Sequence, residues 1–333
     1  MNSALRNPAI AHVSGRNVLT VSDQRYLNCI VCQGSLTEKV IRTFDTRFGI
    51  PGNYEVLRCS VCQLEQIYPV PTPAELKNLY ESHYNFGGER DTTYTRLREL
   101  FFSSFLYRAW VQLDGDLSFH ARKGAGRLID IGCNEGRGLN LYARNGFQVE
   151  GLELNKTAAA QARNRGFIVH ELPVENFTPI APYDVAILSN VLEHAVDPRQ
   201  MLLEVSRILA SKGQIWISCP NTQSWLRSLF GKYWINWHLP FHISHFSSQT
   251  ITNLLEQTGF TAIEIRQVTP AAWVASSIIA RLFSKEGHPT RELRNPILFA
   301  PLVVAVRLFM FPVLWLKNRA RQGDCLLITA VKF

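Results

Sequence analysis

From about residue 126 to the C-terminus, short apolar runs alternate with amphipathic stretches. The runs fall at 127–131, 147–152, 167–171, 184–189 and 214–219. Each is too short for a helix and is bounded by turn residues, so each predicts a buried strand. Helical patterns lie between them. One follows the glycine-rich segment Gly132–Gly138 and is closed by Gly146; others cover 198–210 before Gly213 and 248–257 before Gly259. This alternation predicts an α/β fold on a doubly wound parallel sheet. Two more strands, 261–268 and 324–332, are separated by apolar helical segments at 271–283 and 296–316.

Upstream the pattern changes. Residues 1–20 read as a flexible tail, 21–71 as a small separate unit and 72–125 as a helical connector. The small unit carries Cys29-Ile-Val-Cys32 and, 26 residues later, Cys59-Ser-Val-Cys62. A CxxC turn points two sulfurs at one point, and two such turns complete a tetrahedral site suited to a structural Zn²⁺. Four thiolates leave no open position, so catalysis by this metal is not expected. In the connector, Thr72-Pro73-Ala74-Glu75 predicts a capped helix through Tyr80. A second helix at 92–113 carries Phe101, Phe102, Phe105, Tyr107 and Trp110, which are expected to pack it onto the next unit.

Composition narrows the partners. At 333 residues and 46% hydrophobic, the chain is a folded protein of two or three units, which excludes global disorder. A net charge of +8 invites a nucleic-acid or membrane reading. The excess is local: residues 281–321 hold eight basic side chains (Arg281, Lys285, Arg291, Arg294, Arg307, Lys317, Arg319, Arg321) against Glu286 and Glu292. The cysteine unit has five basic residues without a clustered patch, which disfavours nucleic acid. The N-terminal stretch lacks the apolar core of a secretory leader. A reducing cytosol is therefore expected, with the cysteines as ligands or core residues.

The strongest chemical signal starts at Asp130-Ile-Gly132-Cys133-Asn134-Glu-Gly136. Strand, glycine turn and helix in that order open a nucleotide-binding α/β fold. The next strand delivers Glu153, 23 residues after Asp130, where an acid can accept hydrogen bonds from both hydroxyls of a ribose. An acid at the strand end disfavours a pyrophosphate and suits a cationic sulfonium bearing an ammonium group. Together with Tyr183–Pro198 (YDVAILSNVLEHAVDP), these residues resemble the class I S-adenosylmethionine-dependent methyltransferases, the broad group that includes ubiquinone-biosynthesis and natural-product enzymes.

The resemblance covers 126–270 and 323–333 and implies a Rossmann-like sheet of seven strands with S-adenosyl-L-methionine as cofactor. The pocket it implies has Asp130, Gly132, Cys133, Asn134 and Gly136 in the turn and Glu153 and Leu154 at the ribose. Val174 and Glu175 lie in the adenine loop, and Ser189, Asn190 and His194 come from the VLEH segment. Asn134 stands where the family has glycine; a short side chain that tolerates left-handed backbone can replace it. The cysteine knuckles and connector resemble a subgroup with deoxysugar C-methyltransferases and enzymes of surface-polysaccharide gene clusters.

His238, His242 and His245 follow the fifth strand among aromatics, at the sheet edge where substrates bind. Methyl transfer is an in-line displacement that needs alignment and a base, and a histidine of ordinary pKa suits the second task. His242 matches the catalytic histidine of the sugar C-methyltransferases. Phe241 replaces the glutamate that precedes it there, which favours O-methylation over C-methylation. No acid lies among the three histidines, which disfavours a metal. The acceptor implied is a small molecule, a sugar or a lipid-linked saccharide. An RNA methyltransferase and a non-catalytic adaptor are the alternatives.

The insertion at 271–322 has a membrane reading of its own. A single crossing would separate the last two strands, Arg307 would add roughly 2.5–3.5 kcal/mol against insertion, and Pro301 and Pro312 are expected to break the helix. An apolar hairpin lying in the plane of an anionic membrane, fringed by Lys and Arg, meets these objections. The expected location is the cytoplasmic face of the cytoplasmic membrane. A homodimer interface or an extra core layer is the alternative use of the segment.

Overall fold

The computed structural model describes residues 28–83, 100–102 and 104–333. The expected tail at 1–20 and the 92–99 part of the connector helix lie outside the described residues. Three strands open the described chain, β1 (Leu36–Phe44), β2 (Asn53–Cys59) and β3 (Glu65–Tyr68), each antiparallel to the next. There follow β4 (Arg127–Ile131), β5 (Gln148–Leu152), β6 (Ile168–His170), β7 (Tyr183–Ser189), β8 (Leu209–Pro220), β9 (Ser244–His245), β10 (Phe260–Val268) and β11 (Cys325–Lys332).

The main sheet has seven strands in the order β10-β11-β8-β7-β4-β5-β6. Strands β8, β7, β4, β5 and β6 run parallel, and β11 is antiparallel to both of its neighbours. This is the doubly wound architecture the alternation predicts. The central strands are covered on both faces, so Leu128, Ile129, Ala186, Ile187 and Leu188 are all fully buried. Full burial of each larger aliphatic side chain contributes about 1.5–3 kcal/mol. The helix at Lys156–Asn164 presents Ala158, Ala159 and Ala162, small enough to approach the glycine turn. A Cβ at Gly136 would lie 2.9 Å from the Cβ of Ala162.

The boundary near residue 71 divides the sequence but not the packing. β3 pairs antiparallel with β9, Glu65 opposite His245 and Gln66 opposite Ser244, and the Ile67 N–H donates to the Ile243 carbonyl at 3.0 Å. The cysteine unit therefore lends its edge strand to the histidine segment. Thr72 and Glu75 form the expected reciprocal cap, the Thr72 N–H donating to Glu75 Oε2 at 2.8 Å and the Glu75 N–H to Thr72 Oγ1 at 3.3 Å.

The insertion departs from expectation in three ways. First, its Ala271–Phe283 helix is not a surface hairpin arm. Ala271, Val274, Ala275, Ile279 and Ala280 are buried, and the first three join a core with Val56, Ile67, Trp234 and Trp237. Second, the Pro296–Arg319 helix runs 24 residues through both Pro301 and Pro312. Each proline frees the carbonyl four residues earlier, at Ile297 and Leu308, both on the exposed side of the helix at 85% and 68% exposure. Third, Arg307 does not interrupt the outer face, because it points inward. Its guanidinium pairs with Asp114, with Nε donating to Oδ1 at 2.9 Å, and Nη2 donates to the Thr269 carbonyl at 3.1 Å. The outward positions Leu308, Phe309 and Leu316 are left apolar and exposed.

Candidate active site

The two knuckles fold alike. The Gln33 N–H donates to the Cys29 carbonyl and the Gln63 N–H to the Cys59 carbonyl, and both glutamines take left-handed backbone. The Val31 N–H reaches Cys29 Sγ at 3.5 Å and the Val61 N–H reaches Cys59 Sγ at 3.4 Å. Each turn thus aims its sulfurs at one point. Cys29 and Cys62 Sγ are 3.5 Å apart, as are Cys32 and Cys59, and all four sulfurs lie within 4.8 Å of one another without a disulfide. The Cys62 thiol beside it holds Cys29 well below its ordinary pKa. The donor set fits one tetrahedral zinc that closes the unit.

At the C-terminal end of β4 the chain turns through Gly132, Asn134 and Gly136, all with positive φ. Asn134, at φ +51°, adopts the left-handed geometry that its replacement of glycine requires. Glu153 at the end of β5 organises this turn, its Oε2 accepting from the Asn134 N–H at 2.9 Å and its Oε1 from the Asn155 N–H at 2.7 Å. Burial, then the neighbouring Glu153, push the Asp130 carboxyl up to about 8. A buried Asp130 with a second acid beside it is relieved by a cation, which fits a sulfonium cofactor. Asn190, directly after β7, has left-handed backbone and a buried Oδ1 with no hydrogen-bond partner among the described residues.

The other expected pocket residues divide. Cys133 and Val174 are buried, Leu154 and Glu175 are exposed, and Ser189 is engaged in a hydroxyl chain with Ser118 and Ser218. Gly132 abuts Val191, whose Cγ2 would lie 2.8 Å from an added Cβ. The cofactor turn and the VLEH segment are therefore in contact.

The histidine segment closes over that junction. The Ile243 N–H donates to the Glu193 carbonyl at 2.8 Å, which staples 241–243 to the short turn Leu192–His194. The His194 and His242 rings are 4.6 Å apart, His238 and His242 are 4.7 Å apart, and His245 is 6.2 Å from His242 against Trp237. His194 thus belongs to the histidine cluster, where sequence alone suggests only a cofactor wall. Two other expectations are corrected. The histidines do not have ordinary pKa values: burial first of all pushes His238 and His242 well below them and His245 down to about 3. And an acid does lie among them, since Glu193 is buried beside His194 and His242.

Sequence reasoning also misses the contributions of the cysteine unit and connector. Tyr80 Oη lies 3.0 Å from His194 Nδ1, and Phe48 packs against both Phe241 and His238, at 5.4 and 5.8 Å. Beside Phe48 opens a cavity of about 290 Å³ lined by Arg47, His83, Arg291 and Arg294 among others. The signal available was Tyr80 in the connector motif; nothing local marks Phe48 or Arg47.

Residues 102–265 match the family described as "Methyltransferase domain". A Mycobacterium tuberculosis protein named "Probable S-adenosylmethionine-dependent methyltransferase" is 30% identical over 143 residues, 41% of this chain and 49% of that protein. The ubiquinone biosynthesis O-methyltransferase of a Caulobacter strain is 32% identical over 103 residues, 28% of this chain and 41% of that protein. The chain spans about half the length of the curated relatives it matches, or less. Among solved structures, the Burkholderia thailandensis 1,6-didemethyltoxoflavin-N1-methyltransferase, with bound S-adenosylhomocysteine, is similar at 15% identity over 84% of this chain and 95% of that one, with a TM-score of 0.44.

Proposed function

We propose that this protein, whose residues 102–265 match a methyltransferase domain, uses S-adenosylmethionine to transfer a methyl group to a hydroxyl of a phosphate-bearing saccharide, one linked to a lipid at the cytoplasmic membrane face. One observation carries the acceptor class: the cavity of Arg47, Arg291 and Arg294 opens beside Phe48, which touches His238 and Phe241 of the histidine segment. Guanidinium groups suit phosphate oxygens, and the saccharide would then extend toward His242. S-adenosylmethionine supplies an electrophilic methyl on sulfur. The chain's part is to align the acceptor and activate its oxygen through the buried histidine and glutamate side chains.

Two of the cavity arginines stand at the start of the Pro296–Arg319 helix, whose outer face carries Ile297, Leu308, Phe309 and Leu316. An apolar face with Arg291 and Arg294 at one end and Lys317, Arg319 and Arg321 at the other suits the surface of an anionic bilayer, each basic residue contributing about 1 kcal/mol there. The helix would bring the cavity to headgroup depth.

Labelled S-adenosylmethionine offered with anionic vesicles that contain lipid-linked saccharides tests the reading. Label is expected in the lipid fraction, and the double variant Leu308→Lys/Phe309→Lys should float poorly with vesicles and label that fraction weakly. Salt should weaken binding only in part, because the apolar contact is unscreened. Label found only in water-soluble sugar nucleotides, and unchanged in the variant, would remove the lipid-linked acceptor.

The cofactor assignment has its own check. Glu153→Ala is expected to weaken S-adenosylmethionine binding by about 10–150-fold, the cost of a lost charged acceptor. Calorimetry that returns a wild-type affinity would take the ribose from Glu153.

A further inference from the structure

We infer that Glu193, His194 and His242 bind a divalent transition-metal ion, separate from the four-cysteine site. Glu193 is 1% exposed, and neither of its carboxylate oxygens has a hydrogen-bond partner among the described residues. A carboxyl group buried with neither oxygen paired is unfavourable, so such a group points to an absent partner. The partner's position is marked by two imidazoles. His242 Nδ1 lies 2.8 Å from the Asn236 carbonyl, and His194 Nδ1 lies 3.0 Å from the Phe241 carbonyl. A carbonyl only accepts, so Nδ1 carries the proton on each ring, with Tyr80 Oη at 3.0 Å as a second acceptor of the His194 N–H, and Nε2 keeps its lone pair.

An imidazole oriented through a backbone carbonyl, with the other nitrogen free, is the usual outer support of a metal-binding histidine. One ligand atom from each of the three side chains falls within 4.8 Å of the others. Bonds of about 2.0–2.2 Å place ligand atoms roughly 3–4 Å apart, so a small side-chain adjustment closes the set.

Two imidazoles and a carboxylate suit Zn²⁺, Co²⁺ or Fe²⁺ rather than Mg²⁺ or Ca²⁺. Three protein ligands leave positions open for oxygen donors from a ligand. That these donors are the acceptor's hydroxyls rests on the methyl-transfer reading; the metal site itself does not. The parts lie far apart in sequence, Glu193 and His194 on the turn after β7 and His242 just before β9, and the Glu193 carbonyl accepting from Ile243 holds them together.

The test uses the full chain with its four-cysteine site loaded with zinc. Titration with Co²⁺ should add one equivalent whose visible bands appear without the thiolate charge-transfer absorption of cysteine ligation. Glu193→Gln, which keeps the shape of the side chain, and His242→Ala should each weaken that binding by more than about 100-fold, beyond the 10–100-fold typical of an outer-support residue. Both variants should retain S-adenosylmethionine binding as proof of folding. Wild-type protein that takes up no second equivalent overturns the inference without any variant, and so does a second equivalent that survives both substitutions. Methyl transfer at full rate by protein holding only the four-cysteine zinc would overturn the contact between this metal and the acceptor's hydroxyls and leave the proposed function standing. A second equivalent lost in both variants, in protein that methylates no saccharide, would support the site and fail the acceptor reading.

Discussion

Cys59→Ser is expected to cost the protein its N-terminal unit and most of its turnover, while leaving S-adenosylmethionine affinity within a few-fold of wild type. The unit is small, and its hydrophobic cluster is shared with the main domain, so a metal on its four cysteines would supply much of what holds β1–β3 together. A structural zinc of this kind contributes about 10–16 kcal/mol of apparent binding free energy at neutral pH. With one thiolate gone, residues 28–68 should become open to proteolysis and the zinc of the four-cysteine site should be lost.

The effect on turnover follows from β3. Its residues Glu65 and Gln66 pair with His245 and Ser244, and the Ile67 N–H holds the Ile243 carbonyl one step away from His242. Phe48, from the loop between β1 and β2, also packs on His238 and Phe241. A zinc held by four cysteines would touch no reacting atom, yet the histidine segment should lose its neighbouring strand when the unit opens. The expected cofactor cradle of Gly132, Asn134 and Glu153 directly follows β4 and β5 of the main sheet and should stay formed. Metal analysis, limited proteolysis and separate measurement of cofactor affinity and turnover check each step. A zinc-free variant with a protected N-terminal unit and full turnover would show that neither the metal nor the pairing matters.

What could be read from sequence and what could not follows the range of the interactions. The central strands β4, β7 and β8 appear as apolar runs because most of their residues are buried. Asn134 could be placed in left-handed backbone, and Glu153 beside the turn, because strand, turn and helix are local. Glu193 is the opposite case. It stands in plain view inside the VLEH segment, but its meeting with His242, 49 positions along, depends on the fold of the segment after β8. Arg307 is equally visible, but its inward turn is not, because Asp114, its partner, lies 193 residues earlier. Long-range pairs of charged groups carry no local periodicity. The same holds for the pairing of β3 with the two-residue strand β9, too short to leave an alternating pattern.

His242→Ala is expected to slow methyl transfer by about 10²–10⁴-fold with cofactor affinity unchanged. The imidazole is buried, its Nδ1 is committed to the Asn236 carbonyl, and its Nε2 is left with a lone pair. Burial and the neighbouring His194, His245 and Arg47 charges push its pKa well below the ordinary value, so it remains neutral at physiological pH and the lone pair is always available. That nitrogen can activate the acceptor's oxygen directly or through a bound cation, and either way alanine removes it. The change should fall on kcat more than on KM, because His242 lies away from the arginine cavity that would hold the acceptor's phosphate. Arg294→Ala offers the contrast: it should raise KM for a phosphate-bearing acceptor and leave kcat nearly intact. A His242→Ala protein with an undiminished rate would remove this nitrogen from the reaction and shift attention to His238, whose ring lies 4.7 Å away, and to His245, whose two ring nitrogens are buried without hydrogen-bond partners among the described residues.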